Sequence, residues 1–479
     1  MKYLLICLLP LSCVFSAAAQ SNTWRYTIDS ADVFSSPRFT DLNNDGVKDV
    51  VIGAGVEDVP ISHGVVAVDG HSGELLWKVP SRTQIYTSAL FQDITGDGVM
   101  DVFIGGRAAS YFAIDGKSGE IIWEFWSGTE NESRKAGYLN FFGTQWVDDQ
   151  DGDGFQDLLV TNGGDYLAVS TDKSRPTARL MVLSSNDGSI VKSVKVPENR
   201  ESYYAPHIIG TGKKSKVVFG TGGETVDGSL WEVPLKQVLK NSMKKSKLIV
   251  SDSTKGFILN SVVTDINSDG HADILNARMD ATLVAVDGKS KKILWEHTFE
   301  GKECYVTPSL GFFTDDDIPD FFTIIATGTF PRYTSFELVV INGASGEIAW
   351  RETAGFNQFS PAAVGDVNGD DIDEIIFLEN ELTDPQTYGM ENKLRVVDIK
   401  NDTSWYVGVS RPGISMASAP GIVDLDGDGN YEVVVATSSL GLGEEAKLSL
   451  LERIDLNLPL KPTWPGYLGP LENGILEKR

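Results

Sequence analysis

The stretch Asp149-Gln150-Asp151-Gly152-Asp153-Gly154-Phe155-Gln156-Asp157, followed by the apolar run Leu158-Leu159-Val160, decides how the rest of the chain is interpreted. Oxygen-bearing side chains stand at positions one, three, five and nine, and a glycine at position six lets the backbone turn sharply. Such close carboxylates repel one another, whereas Ca²⁺ accepts six to eight oxygen ligands in a flexible shell. Because a short apolar run follows, we expect the loop to join two strands. An acidic surface turn without metal is the alternative.

The same nine-residue frame occurs six times, and in one copy Asp371 replaces the glycine. The predicted calcium ligands, loop by loop, are Asp41, Asn43, Asp45 and Asp49; Asp93, Thr95, Asp97 and Asp101; Asp149, Asp151, Asp153 and Asp157; Asp265, Asn267, Asp269 and Asp273; Asp366, Asn368, Asp370 and Glu374; Asp424, Asp426, Asp428 and Glu432. Two further units keep the apolar run but lose ligands. The loop at 313–320 lacks the first ligand, which leaves its metal binding open, and the lysine-rich loop at 210–216 should bind no cation.

A second phrase alternates with the acidic loops and reads as a hairpin. Residues 66–77 and 112–123 each contain an apolar strand, an Asp-Gly turn and a second apolar strand that ends in tryptophan. Repeat units begin near residues 36, 88, 143, 205, 260, 307, 360 and 419. A spacing of roughly 47 to 62 residues is typical of a four-stranded propeller blade. The sequence therefore predicts an all-β fold, an eight-bladed β-propeller of four-stranded antiparallel blades.

The two ends of the chain predict how the ring closes. Residues 24–28 form a fourth strand with no blade before it, and the last unit has no fourth strand of its own. We expect the N-terminal strand to complete the last blade, which hides both sheet edges. The predicted organisation is a signal peptide at 1–19, the propeller at 20–455 and a C-terminal tail at 456–479 that lies outside the blade pattern.

The composition and the N-terminal residues limit the cellular compartment and the classes of partner that we expect. The formal net charge of -26 argues against nucleic acid and anionic membranes as partners, and no stretch after the N-terminus is apolar enough to be a transmembrane segment. Lys2, an apolar run at 3–15 and a small-residue cleavage site at 17–19 predict a secretory signal. The protein is therefore expected to be secreted, periplasmic or on the cell surface, with a lipoprotein processed at Cys13 as the alternative. Cleavage after residue 19 leaves Cys304 as the one thiol, so calcium would take the place of disulfides.

Two families are similar to these repeats. The phrase at 41–55 resembles the FG-GAP/VCBS repeats of integrin α-chain propellers, and the phrases ending at Trp77 and Trp123 resemble the PQQ-like repeats of quinoprotein alcohol dehydrogenases. Together the resemblances cover nearly all of residues 24–455. They imply structural calcium ions, with the backbone carbonyl at position seven as a further ligand. They are specific for the fold and less so for function, because propellers host many unrelated activities.

We interpret the chain as a binding or interaction scaffold for a protein or glycan ligand rather than an enzyme. A carbohydrate-active enzyme, a polysaccharide lyase or hydrolase, is the leading alternative and needs a base and a positive charge in one cleft. The candidates for such a cleft are Tyr86, Arg107, Arg134, Tyr138, Tyr203, Tyr204 and His207.

Two further alternatives rest on resemblance. Quinone-dependent dehydrogenases typically carry an adjacent cysteine pair, which a mature chain with Cys304 alone cannot form, so no PQQ is expected. Trp77, Trp123, Trp295 and Trp350 stand at one position of their repeats and indicate blade packing. Lipidation of Cys13 would favour the hypothesis of an outer-membrane assembly scaffold.

Several segments depart from the repeat pattern. The aromatic insertion at 125–146 is either a protruding loop or, in its second half, the next inner strand. Tyr203-Tyr204 is expected to lie in a strand, and residues 236–247 are expected to form a short basic helix.

Overall fold

The repeated apolar runs form eight antiparallel sheets, which are the blades of a β-propeller. The structure, a computed structural model, describes residues 23–169, 172, 174–330, 332–386, 389–439, 448–456 and 459–477. The predicted signal peptide and Cys13 lie outside these residues. The first strand, β1 (Arg25–Asp29), belongs to the last blade. Blades one to four contain β2 (Arg38–Thr40), β3 (Asp49–Gly53), β4 (Ile61–Val68) and β5 (Leu75–Ser81); β6 (Leu90–Gln92), β7 (Asp101–Gly105), β8 (Tyr111–Ile114) and β9 (Ile121–Glu124); β10 (Asn140–Val147), β11 (Asp157–Gly163), β12 (Arg179–Leu183) and β13 (Ile190–Lys195); β14 (His207–Ile209), β15 (Lys216–Gly220), β16 (Gly228–Pro234) and β17 (Lys247–Asp252).

Blades five to eight continue the pattern, and the predicted blade number is confirmed. Their strands are β18 (Val262–Thr264), β19 (Asp273–Ala277), β20 (Thr282–Val286) and β21 (Ile293–Thr298); β22 (Lys302–Cys304), β23 (Ser309–Gly311), β24 (Asp320–Thr329), β25 (Arg332–Ile341) and β26 (Ile348–Ala354); β27 (Ala363–Asp366), β28 (Glu374–Asp384), β29 (Gly389–Asp398) and β30 (Thr403–Pro412); β31 (Gly421–Val423), β32 (Glu432–Ser438) and β33 (Leu448–Asp455). Each inner strand begins within three residues of the predicted unit start.

Position within a blade explains the pattern of each strand. The second strands, such as β3, β7 and β11, are buried along their whole length, because neighbouring blades cover both of their faces. The outer strand β5 alternates between exposed and buried residues, since one face meets solvent. Continuous apolar runs therefore mark the second strands, and alternating runs mark the rim.

Ring closure follows the prediction. Strand β1 pairs antiparallel with β33, from Arg25 opposite Glu452 to Asp29 opposite Leu448. It is the fourth strand of the eighth blade, so the last sheet is completed by the N-terminal end of the propeller. This pairing protects the edge that β33 would otherwise present to solvent.

The C-terminal tail differs from the prediction, because it is part of the ring. Strand β34 (Lys461–Trp464) adds to the axial edge of β27, and Ile475 bridges to Val263 of the fifth blade. Trp464 is 1% exposed. The expectation that the tail lies outside the blade pattern is therefore wrong. Pairing with β34 satisfies the backbone groups at the axial edge of β27, and the burial of Trp464 adds apolar contacts.

Three local expectations can be compared with the structure. The insertion at 125–146 contains α1 (Glu130–Ala136) and then β10, so its second half is indeed the next inner strand. Tyr203-Tyr204 precedes β14 and lies outside any strand, which contradicts the prediction. The basic helix is limited to α2 (Leu235–Val238), and 3₁₀ turns occupy Pro197–Asn199 and Gly212–Lys214. No helix in the described part of the chain has the length and apolar character needed to cross a membrane.

The repeated tryptophans join neighbouring blades. The indole Nε1 of Trp77 donates a 2.6 Å hydrogen bond to the Gly116 carbonyl in the turn of the next blade. Trp24, Trp123 and Trp295 make the equivalent bonds to Gly70, Ser185 and Gly343. The predicted packing role is confirmed for Trp77, Trp123 and Trp295. Trp350 is half-buried, and the turn that follows it in the next blade, 399–402, carries no glycine.

Candidate functional site

The six predicted calcium loops share one conformation on one face of the ring. Each loop joins the inner strand of a blade to its second strand. In all six loops the carboxylate at position one accepts a hydrogen bond from the backbone N–H at position six, at 2.9 to 3.2 Å. The carboxylate at position five accepts from the N–H at position seven. These bonds hold the carboxylates of positions one and five against the backbone of their own loop.

The carboxylate at position nine has a second role that the sequence did not reveal. Asp49 is fully buried and accepts hydrogen bonds from Leu42 N at 2.8 Å and from Gly70 N at 3.0 Å. Gly70 also accepts the indole bond of Trp24 through its carbonyl. Asp101 repeats this arrangement with Gly116. Position nine therefore connects the acidic loop, the outer hairpin and the tryptophan of the preceding blade.

The position-nine carboxyls are buried beside other acids, an environment that a bound cation would relieve. Burial, with adjacent carboxylates adding to it, raises the pKa of Asp49 and of Asp157 to about 6 and the pKa of Glu374 to about 8. In the third loop, oxygens of Asp149, Asp151 and Asp153 lie within 4.8 Å of one another. Oxygens around one Ca²⁺, each about 2.3 to 2.6 Å from it, are spaced in this way.

Unpaired oxygens give a second test of the fit. Within the described chain, one buried carboxylate oxygen each of Asp41, Asp157 and Asp426 has no hydrogen-bond partner. A hard cation bound by these oxygens would satisfy them. Among the described residues, three acidic side chains cluster in the loops at 149–157 and 424–432, and these donor sets fit calcium. Ligation by the residues of the six loops stays a prediction.

The acidic loop of the eighth blade, at 424–432, contains a side chain that competes with the cation. Arg453, a buried residue of β33, reaches Asp426 at 3.4 Å and Glu432 at 3.2 Å. A guanidinium in this position supplies internally part of the charge that calcium would supply. Lysines also contact predicted ligands in three other loops, at Asp97, Asp269 and Asp370. Arg453 differs because it is buried, so calcium would have to displace it or share these carboxylates with it, and we expect the weakest affinity in this loop.

The loop at 313–320 keeps part of the arrangement of the six loops, because Ile318 N–H also donates to the Asp316 carboxylate. In the loop at 313–320, Asp320 accepts hydrogen bonds from the backbone of Phe313 and Thr314, and burial raises its pKa to about 6. In the fourth blade the lysine-rich segment forms the 3₁₀ turn Gly212–Lys214.

The opposite face holds a cavity at the axis, which we call the axial mouth. Segments that lead into the inner strands converge there and enclose about 390 Å³. Rings of Tyr86, Phe142 and Tyr203 follow one another at 5.4 and 5.3 Å between centroids. Tyr305 and Phe359, 6.0 Å apart, come from the later blades of the ring.

The tail forms the floor of the axial mouth. Tyr467 lines the cavity, and its hydroxyl is hydrogen-bonded to Asn260. Arg38 of the first blade binds the Tyr467 carbonyl at 2.9 Å and Glu472 at 3.2 Å. His207 of the fourth blade contacts the Asn473 carbonyl at 2.8 Å through Nδ1. The tail therefore links several inner strands and closes the axis below the cavity.

The predicted cleft residues are only partly brought together. Tyr86, Arg107 and Tyr203 line the axial mouth. Arg134 pairs with Asp165, and Tyr138 packs against Phe125 and Trp126. Tyr204 and His207 are buried behind the cavity wall and contact each other edge to face. Phe142 belongs to the aromatic insertion at 125–146 that the sequence had singled out. Sequence reasoning missed Tyr305 and Phe359, whose only signal is that each stands a few residues before an inner strand.

Residues 64–368, more than half of the chain, match the model of the FAM234A/B β-propeller. The chain belongs to the FAM234A/B β-propeller family. No match was found among curated proteins.

Solved structures similar to this FAM234A/B-type propeller share its fold. The quinohemoprotein alcohol dehydrogenase ADHIIG from Pseudomonas putida HK5 has a TM-score of 0.56 at 11% identity, over 91% of this chain and 76% of that chain. The exotype rhamnogalacturonan lyase YesX has a TM-score of 0.55 at 12% identity, over 89% and 72%. A europium-containing methanol dehydrogenase has a TM-score of 0.55 at 10% identity, over 91% and 93%. At these identities the likeness concerns the fold alone.

Proposed function

We propose that this FAM234A/B-type propeller is a calcium-stabilised binding scaffold that works outside the cytoplasm and holds a glycan or protein ligand in its axial mouth. The observation that carries the proposal is the cavity of about 390 Å³. Ligand pockets commonly enclose ~300 to 1,000 Å³ and combine aromatic walls with a few polar groups. The cavity fits this description, and Tyr467 closes it from below.

Calcium has a structural role in this proposal. Calcium sites of extracellular modules commonly bind at ~10⁻⁴ to 10⁻³ M, which suits an environment with millimolar calcium. The predicted secretory signal is consistent with that environment. Cys304 is buried and unpaired, so metal loops rather than covalent cross-links would brace the ring.

The lining of the axial mouth favours binding over proton transfer. Burial raises the pKa of Tyr86 and of Tyr203, so neither phenol ionises readily near neutral pH. Burial lowers the pKa of His207 to about 4, and this side chain faces the tail instead of the cavity. Such groups suit hydrogen bonding to a ligand. They support a scaffold in preference to a polysaccharide lyase or a quinone-dependent dehydrogenase.

Array binding tests the proposal directly. The mature protein is applied to glycan and protein arrays in millimolar calcium, beside Phe142→Ala and the rim control Leu248→Ala, which changes an exposed outer-strand residue. Saturable binding that Phe142→Ala loses and Leu248→Ala keeps supports the axial mouth as the site. Binding that both variants keep would contradict it. Ultraviolet absorbance of unsaturated products from uronic polysaccharides would reveal a lyase instead.

A further inference from the structure

We infer that the ligand class of the axial mouth is a neutral saccharide. This inference rests on the proposed function, which assigns the ligand to the axial mouth. It adds a chemical class, carried by the aromatic walls, an unpaired hydroxyl and the internal charge balance of the lining.

The aromatic walls stand on two sides of the cavity. Tyr86, Phe142 and Tyr203 come from the segments around blades two to four, and Tyr305 and Phe359 come from those around blades six and seven. In an eight-bladed ring these two groups of segments lie across the axis from each other. Sugar rings present C–H faces that pack on aromatic rings while their hydroxyls remain free to hydrogen-bond.

The polar groups of the lining suit hydroxyl partners. The Tyr86 hydroxyl is buried and has no hydrogen-bond partner within the described chain. A buried hydroxyl without a partner is uncommon, and a ligand that donates or accepts one hydrogen bond would satisfy it. Gln84, Asn140 and Thr307 also line the cavity, and the Oδ1 of Asn140 already accepts a hydrogen bond from the Ala108 backbone N–H at 2.9 Å. Amides and hydroxyls both donate and accept, as a polyol requires.

The charge of the lining disfavours an acidic sugar. Glu57 and Arg107 are the charged side chains among the described residues that line the cavity, and they pair with each other at 3.4 Å. Arg107 also binds Asp58 at 2.9 Å. A uronic acid would have to draw the guanidinium away from two carboxylates. A neutral sugar leaves this network intact.

A cationic ligand is the nearest competitor. Aromatic rings attract quaternary ammonium groups through their π faces. A quaternary nitrogen has no N–H, so a bare quaternary ammonium such as tetramethylammonium would leave the Tyr86 hydroxyl unpaired. A saccharide therefore accounts for both the aromatic walls and the unpaired Tyr86 hydroxyl, whereas a quaternary ammonium accounts for the aromatic walls alone.

Calorimetric titration of the full mature chain in millimolar calcium tests the inference. The probes are cellohexaose, xylohexaose, galactohexaose and chitohexaose as neutral sugars, oligogalacturonate as an acidic one, and tetramethylammonium as a cation. We expect at least one neutral oligosaccharide to bind. Tyr86→Phe should weaken that binding about 3- to 10-fold, the value of one hydrogen bond, and Phe142→Ala should weaken it further. Tyr431→Phe, the same change on the calcium-loop face, should leave it unchanged.

The outcomes separate this inference from the proposed function. Binding of oligogalacturonate or tetramethylammonium alone, lost in Phe142→Ala, would overturn the saccharide inference and keep the axial mouth as a ligand site. Neutral-sugar binding unaffected by Tyr86→Phe and Phe142→Ala would overturn both. If none of the probes binds, the saccharide inference is overturned. Binding to protein arrays would then decide whether the axial mouth holds a protein ligand. An unchanged melting temperature of Tyr86→Phe excludes misfolding as the cause of a loss.

Discussion

Replacing Asp151 with alanine should remove the stability that one calcium loop contributes. Its oxygens cluster with those of Asp149 and Asp153, so the variant leaves the ion too few ligands. At roughly 2 mM calcium and a Kd of about 10⁻⁴ M, a site present only in the native state contributes about 2 kcal/mol. Six comparable loops would contribute on the order of 10 kcal/mol, as much as the whole stability of a typical domain. Chelation should therefore destabilise the wild type strongly.

Guanidinium unfolding in calcium and in chelator measures this contribution. Asp151→Ala should lose about 2 kcal/mol in calcium and almost nothing in chelator, because removing a carboxylate there also relieves repulsion. Lys214→Ala is the matched control, since the equivalent turn of the fourth blade carries lysines instead of acids. It should keep the wild-type response to calcium. A wild type equally stable in both buffers, or an Asp151→Ala variant with an undiminished calcium response, would refute the reasoning.

Three further predictions concern the blade contacts and the tail. Trp77→Phe removes the bond to the Gly116 carbonyl and should cost about 1 to 3 kcal/mol in guanidinium unfolding, whereas an unchanged midpoint would contradict the packing role. Trp464→Ala should cost about 3 to 5 kcal/mol and expose the tail to limited proteolysis, and a tail as resistant as before would argue against its place on the axis. Burial lowers the pKa of His207 to about 4, so its contribution is present above about pH 6.5 and is lost as the pH falls through 4, by up to about 3 kcal/mol. Stability measured against pH should be flatter in His207→Gln, and an identical profile would contradict this.

The blades could be predicted because each repeats a local pattern. The apolar run after each acidic loop became a second strand, as at Asp157–Gly163, and the Asp-Gly turns became the outer hairpins. The unpaired strand at the N-terminus required a partner, and β33 provides it. Residues near in sequence determine the hairpins, and the number of strands in each repeat determines which strand closes the ring. A repeat of one period offers few other ways to bury its apolar face.

The axial mouth could not be predicted in the same way. Phe142, Tyr203 and Phe359 belong to different units, and no spacing in the sequence brings them together. The prediction that Tyr203-Tyr204 lies in a strand was wrong. Two adjacent aromatic residues are as compatible with a buried segment that precedes a strand as with the strand itself. The charge balance of Glu57 with Arg107 also depends on which loops meet at the axis.

By itself the sequence determined the all-β class, the eight blades, the closing strand and the six oxygen-rich loops, since these depend on periodicity and on ligand spacing within nine residues. Only the tertiary structure decided that the tail adds a strand to the axial edge of β27, that Tyr467 lines the cavity, and that Arg453 contacts the acidic loop of the eighth blade. The physical reason is that these contacts join residues far apart in the chain. Their free energy comes from burial and charge pairing that exist once the ring has closed.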